Sequence, residues 1–167
     1  MTYIGIDNGV TGSIGFIQDG RGYYHKTPVR KVLNYTKKKA FLNRIDGNAL
    51  KLMLEWHCCG PQSFCFIERP FTGKFFKAVV SAARAMEATL IVLELLQIPY
   101  QFVDSKEWQR VLLPTGLEKH ELKRASADVG MRLFPTVDFK NFDDADGLLL
   151  ADFCRRTVSQ RNGESAA

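Results

Sequence analysis

Residues 63–67 read Ser-Phe-Cys-Phe-Ile, a short and almost wholly apolar run between Gly60-Pro61 and the acidic residue Glu68. Strands with one solvated face alternate apolar and polar residues, so an apolar run of this length is typical of a strand covered on both faces. Such a strand needs a layer of helices on each side of its sheet. The run therefore predicts an α/β fold with this strand near the middle of the sheet.

Three β-type segments open the chain and are separated by tight turns. They cover residues 3–6, 12–17 and 22–27, with turn sequences at Asn8-Gly9 and Asp19-Gly20. Two-residue turns of this kind join antiparallel neighbours. The opening of the chain is thus predicted to be a three-stranded antiparallel meander.

Helical periodicity dominates the remainder of the chain. Its predicted elements are helices over residues 47–59, 76–96, 105–112, 119–133 and 143–156, and a fifth strand over residues 99–103. The alternation of strand and helix implies parallel strands. We therefore expect a five-stranded mixed sheet, made of the meander plus two parallel strands, with helices on both faces. One domain should cover residues 1–158, followed by a frayed polar tail at 159–167.

The chain is basic, with 23 Lys and Arg against 18 Asp and Glu, a formal net charge of +5. A basic surface attracts polyanions, of which nucleic acid is the commonest. The charge is concentrated in residues 29–44, which we interpret as an exposed loop or short helix. This segment is either a solvated surface or a DNA contact. Its basic residues are Arg30, Lys31, Lys37, Lys38, Lys39 and Arg44.

Neither the cysteines nor the apolar segments point to secretion or to a membrane. Cys58, Cys59, Cys65 and Cys154 form no CxxC pair and are predicted to be buried free thiols in a reducing compartment. The first strand begins within a few residues of Met1, which leaves no space for a leader peptide, and no apolar stretch is long enough to cross a bilayer. We expect a cytoplasmic protein.

Four carboxylates occupy positions that would bring them together. Asp7 and Glu68 each end a predicted strand, and strand carboxyl ends are where such sheets bind ligands. Asp143 and Asp146 are three residues apart at a predicted helix start, so they project from one face. Each acid alone has a simpler explanation, as an Asx turn, an ion-pair partner or a helix cap. Their joint occurrence favours a site.

Crowded carboxylates repel one another and would not all stay ionised unaided. Divalent cations resolve this, and oxygen ligands without His or Cys suit Mg²⁺, with Mn²⁺ as a substitute. Two such ions can activate water and stabilise the leaving oxygen in phosphodiester hydrolysis. A basic protein with an acidic pocket is therefore predicted to be a metal-dependent nuclease.

The same motifs resemble those of the RuvC-type Holliday junction resolvases, which have the RNase H-like fold. Ile4-Gly5-Ile6-Asp7-Asn8-Gly9 is similar to the family's first motif, Ile67-Glu68 to its second acidic position, and Asp143-Asp144-Ala145-Asp146-Gly147-Leu148 to its Asp-Ala-Ala-Asp-Ala-Leu helix start. The resemblance implies that Asp7, Glu68, Asp143 and Asp146 are catalytic metal ligands, whereas Asp144 is secondary. Asn8 stands where the family commonly has Pro, which indicates a divergent branch such as a phage-encoded one, acting in the host cytoplasm.

The resemblance also implies DNA contacts and an assembly. Phe71 matches an aromatic that contacts bases near the junction, and Lys119 matches a basic residue that contacts the backbone; Lys74 and Lys106 are further expected phosphate contacts. Residues 82–87 resemble part of a helix that forms a dimer interface. We therefore expect a homodimer that nicks four-way DNA junctions in recombination and repair, with any branch-migration helicase unidentified.

Three other interpretations stay open. An RNase H-like nuclease could act on other branched DNA or on RNA–DNA hybrids. Asp7-Asn8-Gly9 followed by Thr11-Gly12 also resembles the first phosphate loop of actin-like ATPases, which need two such domains, whereas this chain has 167 residues. A DNA-binding protein without catalysis could retain the fold, although the four acids argue against it.

Overall fold

The computed structural model of the chain describes residues 1–34, 39–57, 59–70, 73–140, 142–161 and 163. A five-stranded sheet forms its centre, in the strand order β3-β2-β1-β6-β7. The five strands are β1 (Thr2–Asp7), β2 (Ser13–Gln18), β3 (Arg21–Lys26), β6 (Phe64–Glu68) and β7 (Tyr100–Val103). The first three form an antiparallel meander, and β6 and β7 continue the sheet in parallel to β1. The predicted mixed sheet is confirmed.

Strand β6 has the two covered faces that its apolar sequence predicts. Cys65 and Ile67 are fully buried against one face of the sheet, and Phe66, which lies between them, is buried against the other. This alternation follows from the two-residue period of a strand.

Helices cover both faces of the sheet. The helices are α1 (Gly47–Trp56), α2 (Phe76–Leu95), α3 (Ser105–Leu112), α4 (Lys119–Leu133) and α5 (Asp146–Arg161). Leu50 and Leu54 of α1 share one apolar cluster with α2, and the apolar residues of α3, α4 and α5 form the second cluster. The Asp46 carboxylate caps α1 by accepting a hydrogen bond from the Ala49 N–H at 3.2 Å.

Residues 29–44 differ from the prediction of a loop or short helix. They belong to a β-hairpin, in which β4 (Val29–Leu33) pairs antiparallel with β5 (Phe41–Ile45). Apolar pairs cross the hairpin at three positions, Val29 with Ile45, Val32 with Leu42, and Leu33 with Phe41. Cross-strand pairs of this kind stabilise a ribbon. The density of basic residues obscured this pattern, and residues 35–38 lie outside the described part of the chain.

Helix α5 also differs from the prediction, at both ends. It begins at Asp146 rather than Asp143, and it continues to Arg161 rather than ending near 156. Ser159, assigned to a frayed tail by the sequence, is helical and only 7% exposed. Residues 164–167 lie outside the described residues.

Two remaining predictions concern the thiols and the membrane. Cys59, Cys65 and Cys154 are buried free thiols, as predicted, and Cys58 lies outside the described residues. Within the described ranges, none of the helices has both the length and the apolar character needed to cross a bilayer.

Candidate active site

Two of the predicted carboxylates lie at the carboxyl ends of neighbouring strands. Asp7 is the last residue of β1 and Glu68 is the last residue of β6. The strands are parallel and Ile6 pairs with Ile67, so the next residue of each strand is one of the two acids. This parallel register places Asp7 and Glu68 side by side at one edge of the sheet.

The start of α5 adds a third carboxylate. The Gly147 N–H donates a hydrogen bond of 3.1 Å to the Ser13 hydroxyl, and Ser13 is paired across the sheet with Asp7. Asp146, the first residue of the helix, is therefore held next to the strand end that carries Asp7. The absence of a side chain at Gly147 permits this approach, because a Cβ there would lie 2.7 Å from the Ser13 carbonyl oxygen.

The proximity of these acids is reflected in their pKa values. Burial raises the pKa of Asp7 to about 7, with further increases from the charges of Glu68 and Asp144. Burial likewise raises the pKa of Asp146 to about 7, with Asp144 and Asp7 as its charged neighbours. The pKa of Glu68 is raised by burial and by Asp146, and is lowered in part by a hydrogen bond from Trp108. The three acids thus form one electrostatically coupled cluster.

Two side chains that carried no sequence signal hold these acids in position. The Trp108 indole N–H, on α3, donates to the Glu68 carboxylate at 2.9 Å. The buried Ser126 hydroxyl, on α4, donates to the Asp146 carboxylate and accepts from the Ala145 N–H at 3.1 Å. Ser126 therefore fixes both the backbone at the start of α5 and the acid that begins it.

A further carboxylate, Asp144, lies beside these three acids. Its side chain is 16% exposed and forms an ion pair with Lys123 at 3.3 Å. It also accepts a hydrogen bond of 3.0 Å from the Tyr24 hydroxyl, and its charge raises the pKa of Asp7, Glu68 and Asp146. Asp143 is exposed and precedes the helix. Because α5 begins at Asp146, Asp143 and Asp146 do not share a helical face as predicted, and the assignment of Asp143 as a metal ligand stays a prediction.

The donor set fits hard divalent cations. It consists of carboxylate oxygens, several partly buried, whose mutual repulsion a cation would relieve. Across the residues that the structure describes, no three His, Cys, Asp or Glu side chains already stand as a coordinating group. The carboxylates thus share one edge of the sheet, and their side chains would have to turn toward a common ion.

The expected DNA contacts are placed only in part. Lys74, just before α2, and Lys106, in the first turn of α3, are both exposed and follow the carboxyl ends of β6 and β7. They therefore belong to the same edge of the sheet as the acids. Phe71 and the Lys119 side chain lie outside what the structure describes.

No family model matches the chain, and no curated protein matches it in sequence. Solved structures do match its fold. RuvC of T. thermophilus in complex with a Holliday junction substrate superposes with a TM-score of 0.62 at 12% identity, over 98% of this chain and 96% of that one. A second Thermus thermophilus RuvC structure superposes with a TM-score of 0.55 at 15% identity, over 98% of this chain and 97% of that one.

The two superpositions span nearly the whole of both chains, so the likeness covers the full arrangement of sheet and helices rather than a shared motif. Superposition at such low sequence identity establishes the fold, whereas activity depends on the residues of the site. The chain therefore has the same RNase H-like fold as these RuvC structures, at low sequence identity.

Proposed function

We propose that the protein is a Mg²⁺-dependent endonuclease that nicks four-way DNA junctions. The observation that carries this proposal is the convergence of Asp7, Glu68 and Asp146, from two strand ends and a helix start, in a chain with the fold of a junction resolvase. Three carboxylates with raised pKa values are unfavourable in a merely structural role. Perturbed acids gathered at the carboxyl edge of a sheet are a recognised mark of a functional site.

Asp7, Glu68 and Asp146 would hold the metal, together with one acid of the pair Asp143 and Asp144. Bound there, two divalent ions supply activation of a water molecule and stabilisation of the leaving oxygen in phosphodiester hydrolysis. The chain's own contribution is orientation: Trp108 holds Glu68, and Ser126 holds Asp146. Partners of this kind keep metal ligands in a productive geometry.

The substrate would be held by cationic side chains around the cluster of acids. Lys74 and Lys106 are exposed there and suited to phosphate contacts, and Phe71 and Lys119 are assigned the same substrate by sequence resemblance. Phosphate contacts confer affinity and position, so binding should weaken steeply with salt.

The proposed active form is a homodimer built on α2. A four-way junction has two-fold symmetry, so a two-fold dimer can present one site to each of two opposed strands. Exposed apolar residues on α2, such as Ile91 and Leu95, are available for such a contact. Sedimentation analysis at micromolar concentration should give twice the 18.9 kDa mass of the chain.

The decisive assay uses a synthetic four-way junction, a splayed-arm duplex and an RNA–DNA hybrid of matched sequence, each with Mg²⁺. We expect paired nicks at symmetric positions on two opposed strands of the junction. Faster cutting of the splayed arms or of the hybrid would instead assign the site to other branched DNA or to hybrids.

Substitution of Asp146 tests the acidic cluster directly. We expect Asp146→Asn to lower the cleavage rate by roughly a hundredfold or more, since it removes a ligand of the metal that stabilises the reacting phosphate. Junction affinity should not fall, because no phosphate contact is lost. Asp128→Asn, on the exposed side of α4, is the matched control. Wild-type cleavage by Asp146→Asn would remove this acid from the mechanism.

A further inference from the structure

The hairpin β4–β5, hereafter the basic hairpin, carries cations that the fold itself does not require. Arg30, Lys31 and Arg44 are all exposed, and Arg30 lies directly opposite Arg44 across the two strands. Like charges in that position destabilise a hairpin. None of the ion pairs between described side chains involves these three residues. A repulsive pair without carboxylate partners is expected where a polyanion binds.

The basic hairpin projects from the same edge of the sheet as the acidic cluster. Strand β3 ends at Lys26, which pairs with Ser13, and Ser13 pairs in turn with Asp7. The Thr27 N–H donates to the Gly12 carbonyl at 3.0 Å, and the Asp46 N–H donates to the Pro28 carbonyl at 2.9 Å. The first bond fastens the start of the hairpin to the turn that follows β1, and the second joins the two ends of the hairpin to each other.

A groove of about 480 Å³ separates the basic hairpin from α2. Leu42 of the hairpin and Val80 and Ala88 of α2 give it an apolar lining, and the cations Arg44 and Lys77 stand on opposite walls. Val10, in the turn just after Asp7, also lines the groove and so connects it to the acidic edge. None of the acidic cluster lines it, so the groove is a separate surface that adjoins the site.

We propose that the basic hairpin and this groove bind one DNA strand of the substrate as it leaves the acidic site. The phosphates would lie on Arg30, Arg44 and Lys77, because guanidinium groups bind phosphate oxygens in pairs and lysine binds them as a point charge. The apolar lining would contact the sugars and base faces, as in grooves that hold single strands. The inference rests on the proposed function, which identifies the polyanion as DNA. It gives a DNA-binding role to the basic hairpin, which contributes no acid to the acidic cluster.

The test compares two double variants that each remove two arginines. Arg30→Ala/Arg44→Ala alters the basic hairpin. Arg21→Ala/Arg132→Ala is the matched control at the opposite end of the sheet. Arg21 is the first residue of β3. Arg132 lies two residues before Phe134, and the Phe134 ring packs so closely on Gly22 of β3 that a Cβ on Gly22 would lie 2.7 Å from it. Binding of a fluorescent four-way junction is measured by anisotropy without divalent ions, across a series of salt concentrations.

The hairpin variant should bind at least about tenfold more weakly than wild type, and its slope of log Kd against log salt should fall in magnitude by about 2, roughly 1 for each lost phosphate contact. The control should keep a slope and affinity close to those of wild type. Lys77→Ala alone should lower the slope by about 1. Thermal unfolding of the hairpin variant should occur at an unchanged or higher temperature, because the substitution removes a repulsive pair.

The outcomes separate this inference from the proposed function. Equal loss of affinity in the hairpin variant and the control would reduce the effect to net charge and overturn the proposed groove. Wild-type affinity in the hairpin variant, with cleavage of the junction intact, would overturn it and leave the nuclease assignment standing. A lower unfolding temperature of the hairpin variant with an unchanged salt slope would show that Arg30 and Arg44 stabilise the fold, and it would overturn the proposed DNA contact. Failure of the wild-type protein to bind or cut the junction would instead count against the proposed function.

Discussion

The acids of the cluster lie in surroundings that disfavour a charged carboxylate, and specific neighbouring side chains hold them there. Asp7 and Asp146 are partly buried among other negative charges, which raises the pKa of each to about 7. A hydrogen bond to a charged group contributes about 1.5–3 kcal/mol, so the bonds from Trp108 to Glu68 and from Ser126 to Asp146 offset part of the cost of that burial.

The adjacent acids Asp143 and Asp144 can be told apart by substitution. We expect Asp144→Asn to lower the Mg²⁺-dependent cleavage rate by about tenfold or more, because Asp144 shares the buried edge with Asp7 and Asp146. Asp143→Asn should have a smaller effect, since Asp143 is exposed. Rates measured at saturating Mg²⁺ on the junction provide the comparison. A larger loss in Asp143→Asn would support the assignment that sequence resemblance makes.

At the scale of elements, the contact between α5 and the sheet positions the site. A Cβ on Gly5 would lie 2.2 Å from the Ala151 nitrogen, and one on Gly15 would lie 2.3 Å from the Leu148 Cα. The helix backbone therefore rests directly on two glycines of neighbouring strands. This close approach sets the distance between Asp146 and Asp7. A change in how the helix packs on the sheet would therefore also change the geometry of the acids.

Gly15→Ala should disturb stability and activity together. The added methyl group overlaps the backbone of α5, which cannot rotate away as a side chain can, and we expect a loss of about 3 kcal/mol in unfolding free energy. In a chain of this size the loss corresponds to a fall of roughly 6–12 °C in Tm. Gly60→Ala is the control, because a Cβ there meets no atom within 4 Å and Gly60 has no positive φ. Calorimetry that found equal effects for the two variants would contradict the close-packing argument.

The whole molecule combines a net charge of +5 with a concentrated negative site. The two signs occupy adjacent surfaces, since the basic hairpin and the acidic cluster project from one edge of the sheet. Under the proposed function, the cations would hold a polyanion while the carboxylates bind metal. Stability should then depend on pH and on divalent ions.

Without divalent ions, stability should fall as pH rises from about 4 to about 7. Asp7 and Asp146 have an ordinary pKa of 3.8 and a folded pKa of about 7, so in this range the folded state binds more protons than the unfolded state. Their stabilising contribution is therefore complete below about pH 4 and is lost as pH passes through 7. Asp7→Asn should lessen this dependence. Melting curves across the pH range measure it.

Mg²⁺ should raise Tm more at pH 8 than at pH 5, because it binds the deprotonated acids and at pH 5 must displace protons. Asp7→Asn should lose most of the increase at pH 8, and Asp128→Asn should retain it. An equal rise in Tm at both pH values would show that Mg²⁺ binds elsewhere.

The five strands of the central sheet, the five helices and the mixed character of the sheet could be predicted from the sequence, because hydrophobic period and turn residues are local properties. The sequence also placed Asp7 and Glu68 at strand ends. That β6 lies beside β1 came from the structure, because β2, β3, the basic hairpin and α1 separate the two strands in the chain. The prediction for residues 29–44 was wrong, because charge density obscured the cross-strand apolar pairs of the basic hairpin.

The side chains that hold the acids in position follow from contacts between distant parts of the chain. Trp108 and Glu68 are 40 residues apart, and Ser126 and Asp146 are 20 apart, so neither contact has a local signature. The position of Asp144 beside Asp7 and Asp146, with Asp143 exposed before the helix, depended on where α5 begins. That point is set by the packing of its backbone on Gly5 and Gly15, a contact between distant segments that no local pattern encodes.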